Sequence, residues 1–391
     1  MSPTVSVESI MSDVIGQDNA TVDVPAVQQA VDAGGTVVLH GIFNFVNVRL
    51  PGPLGSRVIL VTGAVTIRGQ DATILGGGSA APGGMQAVFL IDAPGVDVTI
   101  EGLRFVKPHN AAIRITRSGD VRIATCQVDG MTSSEVATPA GAQNAALALH
   151  LTGGPFGAVS ILENKFQIGG TANESIGGII MAGQADRLLI ADNRITGTTS
   201  HGIDLRDVNG PATVERNIVE TGTVGRSGLP GQFVDALRVI GSGEYLVDRN
   251  QFDCGFENAA VVRLGGTKKA VIRQNEVVAS VPTGKAPGLQ SAGVQVQGSA
   301  DHNEILQNRI NGRGRVAISV IFSNFPLDKG NGTGNPSATQ FQGNNVQQFA
   351  PTVATVEVGA GAKDTTIVGG SGTLIDNGTG TVVQGNFQPP P

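Results

Sequence analysis

An all-β solenoid of short parallel strands is the fold class this sequence predicts, and three observations predict it. Short strand patterns recur 24 to 33 residues apart, each ending on the same asparagine motif. Glycine is abundant, 56 of 391 residues, and aromatic residues make up only 4%, so the core is aliphatic and the connections are glycine-rich. No helical period interrupts the repeat, which places a parallel β-helix ahead of a leucine-rich horseshoe or a propeller.

The first element is a helix. In "VPAVQQAVDAGGTVVLHG" Pro25 stands near a helix start, Val27, Ala30 and Val31 fall at i, i+3 and i+4, and Gly34-Gly35 ends the run before a strand from Thr36 to Leu39. Such a helix plugs the open end of a coil stack, which otherwise exposes unpaired strand edges. Residues 1–45 therefore read as an N-terminal segment with a capping helix and first strand, and residues 46–386 as a single-domain β-helix of roughly ten coils. Residues 387–391 are a Pro-rich tail.

Two strands recur in each coil. One ends on Asn-x-[Ile/Val/Phe], as in "VSILENKFQI", "LLIADNRITG" and "ATVERNIVET", and supplies Asn164, Asn193, Asn217, Asn250, Asn275 and Asn308. A column of buried asparagines would stack amide on amide and satisfy backbone groups that the turns leave open. The other strand opens on small residues: "AAIRITR" (111), "AALALHL" (145), "GGIIMAG" (177), "HGIDLRD" (201), "DALRVIG" (235), "AAVVRLG" (259), "AGVQVQG" (292) and "VAISVIF" (316).

Cap, first strand and repeat together resemble the right-handed parallel β-helix, or pectate-lyase-like, superfamily over nearly the whole chain. The resemblance implies a right-handed coil, and many of its members cleave or rearrange polysaccharides, often acidic ones, on the outer face of the stack. The Asn-Thr-Asp, Asp-Asp and Gly-His-Gly motifs of polygalacturonase-like hydrolases are absent, as is the Asp-Pro-His-Asp of alginate epimerases. No catalytic residue is therefore carried over.

Candidate site residues come from position instead. Positions three and five of the second strand point inward, so four and six point outward. The fourth column reads Arg114, Ala148, Ile180, Asp204, Arg238, Val262, Gln295, Ser319, and the sixth reads Thr116, His150, Ala182, Arg206, Ile240, Leu264, Gln297, Ile321. Asp204 then faces Arg238 on the next coil, about 4.8 Å away. His201 stands beside Asp235 if the preceding turn swings both side chains out, and such a carboxylate would raise the basicity of the imidazole. A single Asp over an Arg is an ordinary lateral pair, but His201, Asp204, Arg206, Asp207, Asp235 and Arg238 crowd into two adjacent coils. Long insertions at 131–144, 170–176, 222–234, 280–291 and 322–337 share one corner, and the short "GTTS" before His201 leaves a gap between them.

These patterns predict catalytic roles for His201, Asp204, Asp235 and Arg238. Arg206, Asp207, His150, Arg114, Lys107, His109 and Arg263 are the candidate substrate-binding residues. The activity expected is that of a carbohydrate-active enzyme, a polysaccharide lyase or a glycoside hydrolase, acting on a charged or short glycan in an outer groove. With no Trp and one Tyr the chain offers little aromatic stacking for sugar rings, so binding relies on Arg, His, Asp and Gln. An intracellular small-molecule isomerase or cyclase and a non-catalytic surface or adhesion β-helix are the alternatives.

Other chemistry is poorly supported. Net charge is −6 with no basic run, which argues against nucleic acid and anionic membrane as partners and leaves a glycan or small molecule. No cofactor is expected. Calcium at Asp204, Asp207 and Asp235 is conceivable without any acidic loop motif, and column offsets separate His109, His150 and His201 beyond a ligand sphere. Cys126 and Cys254 read as free, packed thiols. No signal peptide is visible at the start, so the sequence predicts a cytoplasmic protein or a mature secreted form.

Overall fold

The structure, a computed structural model, describes residues 11–48, 50, 56–78, 86–131, 146–169, 176–222, 234–322 and 334–388. The insertions expected to wall the groove fall mostly outside these residues, as do 389–391 of the tail. Residues 281–291 are described, and Phe387 and Gln388 end the last strand, Val382–Gln388.

The strands stack into three parallel ladders, one per face of the coil. The first holds the small-residue strands, among them Ile203–Arg206, Leu237–Ile240, Ala260–Gly265 and Ala292–Gln297. The second holds the strands that lead into the asparagines, such as Ala212–Glu215 and Tyr245–Asp248, and the third those that leave them, such as Ile218–Thr221 and Gln251–Cys254. The second ladder is fourteen strands deep, more than the roughly ten coils expected, because its outer coils carry no asparagine to mark them.

One hydrogen-bonded column sets this stacking. Residues just before the asparagines lie in the left-handed region, with φ 56° at Glu163, 58° at Asp192, 53° at Arg216, 54° at Arg249, 55° at Gln274 and 54° at Gln307. A left-handed residue turns the chain sharply and leaves the next peptide without an in-ladder partner. The asparagine supplies it: Asn217 Oδ1 accepts from the backbone N–H of Asn193 at 3.0 Å and from Asn193 Nδ2 at 2.9 Å, while Asn217 Nδ2 donates to Ile190 O of the preceding coil at 2.9 Å. The same bonds join Asn164, Asn193, Asn217, Asn250, Asn275 and Asn308. Two members escaped the motif. Asn344 continues the column, accepting from Asn308 N–H at 2.9 Å, and Cys126 stands at its other end, its N–H bonded to Asn164 Oδ1 at 2.9 Å. Burial pushes the Cys126 thiol up to about 12, which leaves it an inert packing group.

The cap begins earlier than Pro25 suggests. The helix runs Ala20–Ala33, with Asn19 accepting from Thr21 N–H and Pro25 inside it, in the second turn, where it removes the N–H that would bond Thr21 O. It buries Val24, Val27, Ala30 and Val31 against the open end of the coils. A strand unmarked in the sequence, Met11–Gln17, precedes it and pairs in parallel with Gly35–Val46. Among the described residues no helix is long and apolar enough to cross a membrane.

Replacing Asn217 by Ala is expected to cost about 2–4 kcal/mol, since it strands the Asn193 N–H in the core and takes one partner each from the Asn193 amide, the Ile190 carbonyl and the Asn250 amide oxygen. Urea unfolding of Asn217→Ala against wild type checks this, and a loss below about 1 kcal/mol would mean that the column follows the fold rather than fixing it.

Candidate functional site on the first ladder

The strand Ile203–Arg206 is as heavily loaded as its sequence suggests, but its charges are not exposed. Asp204, Arg238, Asp235 and Arg263 are all at least nine-tenths buried, and Arg263 is the largest fully buried side chain. The open groove expected over this face is therefore corrected to a covered polar cluster. Beside them Arg206 keeps a partly open side chain, 28% exposed, and Asp207 is half-buried.

Alternation puts these side chains outside the apolar core, and the ladder register puts them in contact. Asp204 is in register with Arg238 and takes both ends of its guanidinium, Nε to Oδ1 at 2.9 Å and Nη2 to Oδ2 at 2.5 Å. Arg206, two residues on, adds Nε and Nη2 to Oδ2 at 2.9 and 2.8 Å. One turn earlier the chain does swing outward: Asp235 grips Arg263 with Oδ2 to Nε at 2.9 Å and Oδ1 to Nη2 at 3.0 Å. Arg263 Nη1 also reaches the side-chain oxygens of Gln295, of Gln297 at 3.1 Å and of Gln290 at 3.2 Å.

Two registers differ from the sequence reading. Arg238 faces Arg263 rather than Val262, which lies fully buried in the core. The expected alignment stacked the small pair Ala259-Ala260 on Asp235-Ala236, but Leu237 pairs with Val262, and a one-residue slip exchanges the two faces of a strand. In "AALALHL" the slip is two residues, which keeps the face but moves His150 into line with Arg114 and Ile180. The column thus runs Arg114, His150, Ile180, Asp204, Arg238, Arg263, Gln295, Ser319, Glu357. Sequence reasoning did not count Gln290, Gln295 and Gln297 as site residues, although the alternation in "GVQVQG" marks the last two as outward.

The remaining candidates are spread out. Arg114 and His109 belong to the coil three rungs before Asp204, about 14 Å along the axis. Lys107 serves another face: its N–H bonds Asp129 O at 3.0 Å, beside an open groove of about 430 Å³ lined by Arg104, Gln127, Asp129 and Gln167. Asp207 turns the chain out of the strand, at φ 49°, against Gly241 of the next coil. With Asp204 and Asp235 both gripped by guanidinium forks, the proposed calcium ligands are engaged. Among the described residues no group of three or more His, Cys, Asp and Glu could hold a metal ion.

The charge states follow from this geometry. Burial pushes the Asp204 carboxyl up, but Arg238 and Arg206 outweigh it and hold the group well below the usual carboxylate range. Burial first, then Arg238, pushes His201 down to about 3 against the pull of Asp204 and Asp235. The expected pull of Asp235 on this imidazole is present but outweighed: Arg263 takes the carboxylate, which stands 3.7 Å from His201 Nδ1, and what Nδ1 accepts at 3.2 Å is the Asp235 backbone N–H. A neutral His201 accepting at Nδ1 carries its proton on Nε2. His150 is likewise driven down to about 3, by burial and then by Arg114 and Arg206.

Parallel ladders, an asparagine-stacked turn and a guanidinium-rich patch on one outer face define the chain as a parallel β-helix. The family model described as "right handed beta helix region" matches residues 87–310, more than half of the chain, and the chain belongs to that family. Tailspike protein 3 of bacteriophage CBA120 is similar at 11% identity and a TM-score of 0.47, covering 95% of this chain and 58% of the tailspike. The A-module of the Azotobacter vinelandii mannuronan C-5 epimerase AlgE6 is similar at 13% identity and 0.45, covering 96% and 98% of the two chains. The Streptococcus pneumoniae surface protein and adhesin PfbA is similar at 14% and 0.45, covering 93% of each. Identities this low show the fold alone. A comparison with curated proteins finds no match.

Stability is expected to fall with acid before any carboxylate titrates. Histidine in an unfolded chain binds a proton near pH 6.5, whereas His150 and His201 in the fold refuse it until about pH 3. Below pH ~6.5 the unfolded state therefore gains protons the native state cannot, at about 1.4 kcal/mol per pH unit per histidine. Asp204 acts in the same direction lower down, its stabilisation being complete above the unfolded carboxylate value near 3.9 and lost as pH falls toward its folded one. Urea midpoints followed from pH 7 to 5 should show a loss of about 4 kcal/mol, roughly halved in His201→Gln; a flat profile would contradict the neutral, buried imidazoles.

Proposed function

We propose that this chain is a carbohydrate-active β-helix that binds an acidic glycan on the outer face of the first ladder and cleaves it by elimination. The observation that carries the reading is a guanidinium-rich cluster: Arg206, Arg238 and Arg263 gather around Asp204 and Asp235, while His150 and His201 are neutral. Arg206 brings a guanidinium toward solvent, its side chain 28% exposed. A guanidinium fork matches a carboxylate in shape and charge, so a substrate carboxylate is the ligand the cluster favours. A linear glycan suits the face because each coil repeats its polar columns every ~4.8 Å.

The charge states favour elimination over hydrolysis. A glycosidase needs one carboxylic acid to protonate the leaving oxygen, and Asp204, held as a carboxylate by two arginines, is unsuited to that role. An eliminase needs cations on the uronate carboxylate, to acidify the proton at the carbon beside it, and a neutral base to take that proton. Arg206 would hold the carboxylate. His150, which lies in the fields of Arg114 and Arg206, would be the base, and a bound carboxylate would raise its basicity by offsetting them. His201, with its proton on Nε2 and Nδ1 occupied, is the poorer base.

A second reading has its own observation. Nearly complete burial of Asp204, Arg238, Asp235 and Arg263 is also what a lateral ion-pair ladder in a non-catalytic surface or adhesion β-helix would look like.

The test is incubation with polygalacturonate, alginate and neutral glycans, following ultraviolet absorbance of unsaturated products and new reducing ends. Unsaturated product from acidic glycans is expected, lost by about 100-fold or more in Arg206→Ala and His150→Gln. New reducing ends without absorbance would replace elimination by hydrolysis, and no turnover on any glycan would leave the ion-pair ladder as the function of the strand.

A further inference from the structure

Beyond Arg263 the same outer face changes character. Gln295 and Gln297 follow it on the next strand, Ser319 lies one coil further in register with Gln295, and none of the three carries charge. Two of them hold polar atoms with no partner. Gln297 spends its oxygen on Arg263, at 3.1 Å, and its Nε2 is buried and unpaired; Ser319 Oγ is buried and unpaired as well. The residues are 2% and 1% exposed. Orphaned buried groups of this kind destabilise a fold, and a group left so calls for a partner. Gly265, the rung before Gln297 in its column, puts no side chain beside the free amide.

An amide donor and a hydroxyl without charge match the hydroxyl or acetamido oxygens of a neutral sugar. Their place matters too. From Arg206 the column steps through Ile240 and Gly265 to Gln297, three rungs, or about 14 Å. That span takes a short oligosaccharide lying along the solenoid axis. Gln290 approaches from residues 281–291, and its bond to Arg263, at 3.2 Å, is longer than those Arg263 makes to Asp235 and Gln297.

We propose that Gln297 and Ser319 form a neutral-sugar subsite on the acidic-glycan face, so that the substrate is a heteroglycan whose uronate lies at Arg206 and whose neutral unit lies at Gln297. This rests on the acidic-glycan reading and narrows its substrate class. The subsite explains why guanidinium groups crowd the rungs up to Arg263 while the next two rungs offer amide and hydroxyl, before Glu357 follows on the far side of Ser319, paired with Arg315. It also sets the direction of the chain, acidic unit toward the N-terminal coils and neutral unit toward the C-terminal ones.

The test is calorimetric binding of hexasaccharides to the full chain: alternating uronate–hexosamine and uronate–deoxyhexose oligomers against an all-uronate oligomer. Wild type should bind at least one alternating oligomer about tenfold more tightly than the all-uronate one. Ser319→Ala and Gln297→Met should remove that preference and leave all-uronate binding within twofold, while Arg206→Ala weakens both. Ser319→Ala should also leave the melting temperature of the ligand-free protein unchanged, because the hydroxyl it deletes has no partner. Alternating binding unmoved by either variant, with Arg206→Ala still damaging, would overturn the subsite and keep the acidic-glycan reading. Alternating binding lost in Ser319→Ala but untouched in Arg206→Ala would do the reverse. A drop of several degrees in the ligand-free Ser319→Ala protein would mean that the hydroxyl serves the fold, and no binding of any hexasaccharide would overturn both.

Discussion

The asparagine column is the constraint on which the rest of the structure depends. Each coil must turn sharply between its second and third strands, and the left-handed residue that makes the turn leaves the next peptide unserved. An amide side chain both accepts and donates, so one asparagine can serve the coil before it and be served by the coil after. Because each link joins two coils, the column fixes the rung spacing and the register of the neighbouring ladders. Everything on the outer face inherits that register. Asp204 meets Arg238 for the same reason that Asn193 meets Asn217.

On this scaffold a cluster of charge is both a cost and a source of specificity. Arg238 and Arg263 are neighbours in one column, and two unit charges at rung spacing repel by about 3 kcal/mol at an effective dielectric near 20. Each is drawn to a different carboxylate, Arg238 to Asp204 on the preceding coil and Arg263 to Asp235 at the turn before it. The carboxylates are what allow stacked guanidinium groups to exist in a covered site. They are thereby unsuited to proton transfer, which shifts any acid–base role to the uncharged imidazoles.

Much of this was legible in the sequence. The repeat, the asparagine column from Asn164 to Asn308, the capping apolar residues and the Asp204–Arg238 contact all follow from spacing and period, because a solenoid brings together residues one repeat apart. What was not legible has physical causes. Two adjacent valines let Val261 and Val262 compete for the same inward position, so pattern alone misplaced Arg263 and hid its bond to Asp235. Leu147 and Leu149 are equally apolar, so the register of His150 was ambiguous by two residues. Burial of the loaded strand could not be read at all, since alternation says which way a side chain points but not what lies over it. The pKa of His201 failed for the same reason: its carboxylate neighbour was foreseen, the desolvation and the competing arginines were not.

A solenoid site is composed one coil at a time, and this explains how one face can carry two chemistries. In a globular domain a binding pocket draws its residues from loops whose positions depend on one another, whereas here each column position depends mainly on the rungs directly before and after it. Arg114, Asp204, Arg238 and Arg263 can therefore hold charge while Gln295, Gln297 and Ser319 hold none, without either half disturbing the fold of the other. The junction falls at Arg263, whose guanidinium is bonded to an aspartate on one side and to glutamines on the other. It is the residue through which the charged and neutral halves are held in fixed relation, and its complete burial is the structural consequence of that double attachment.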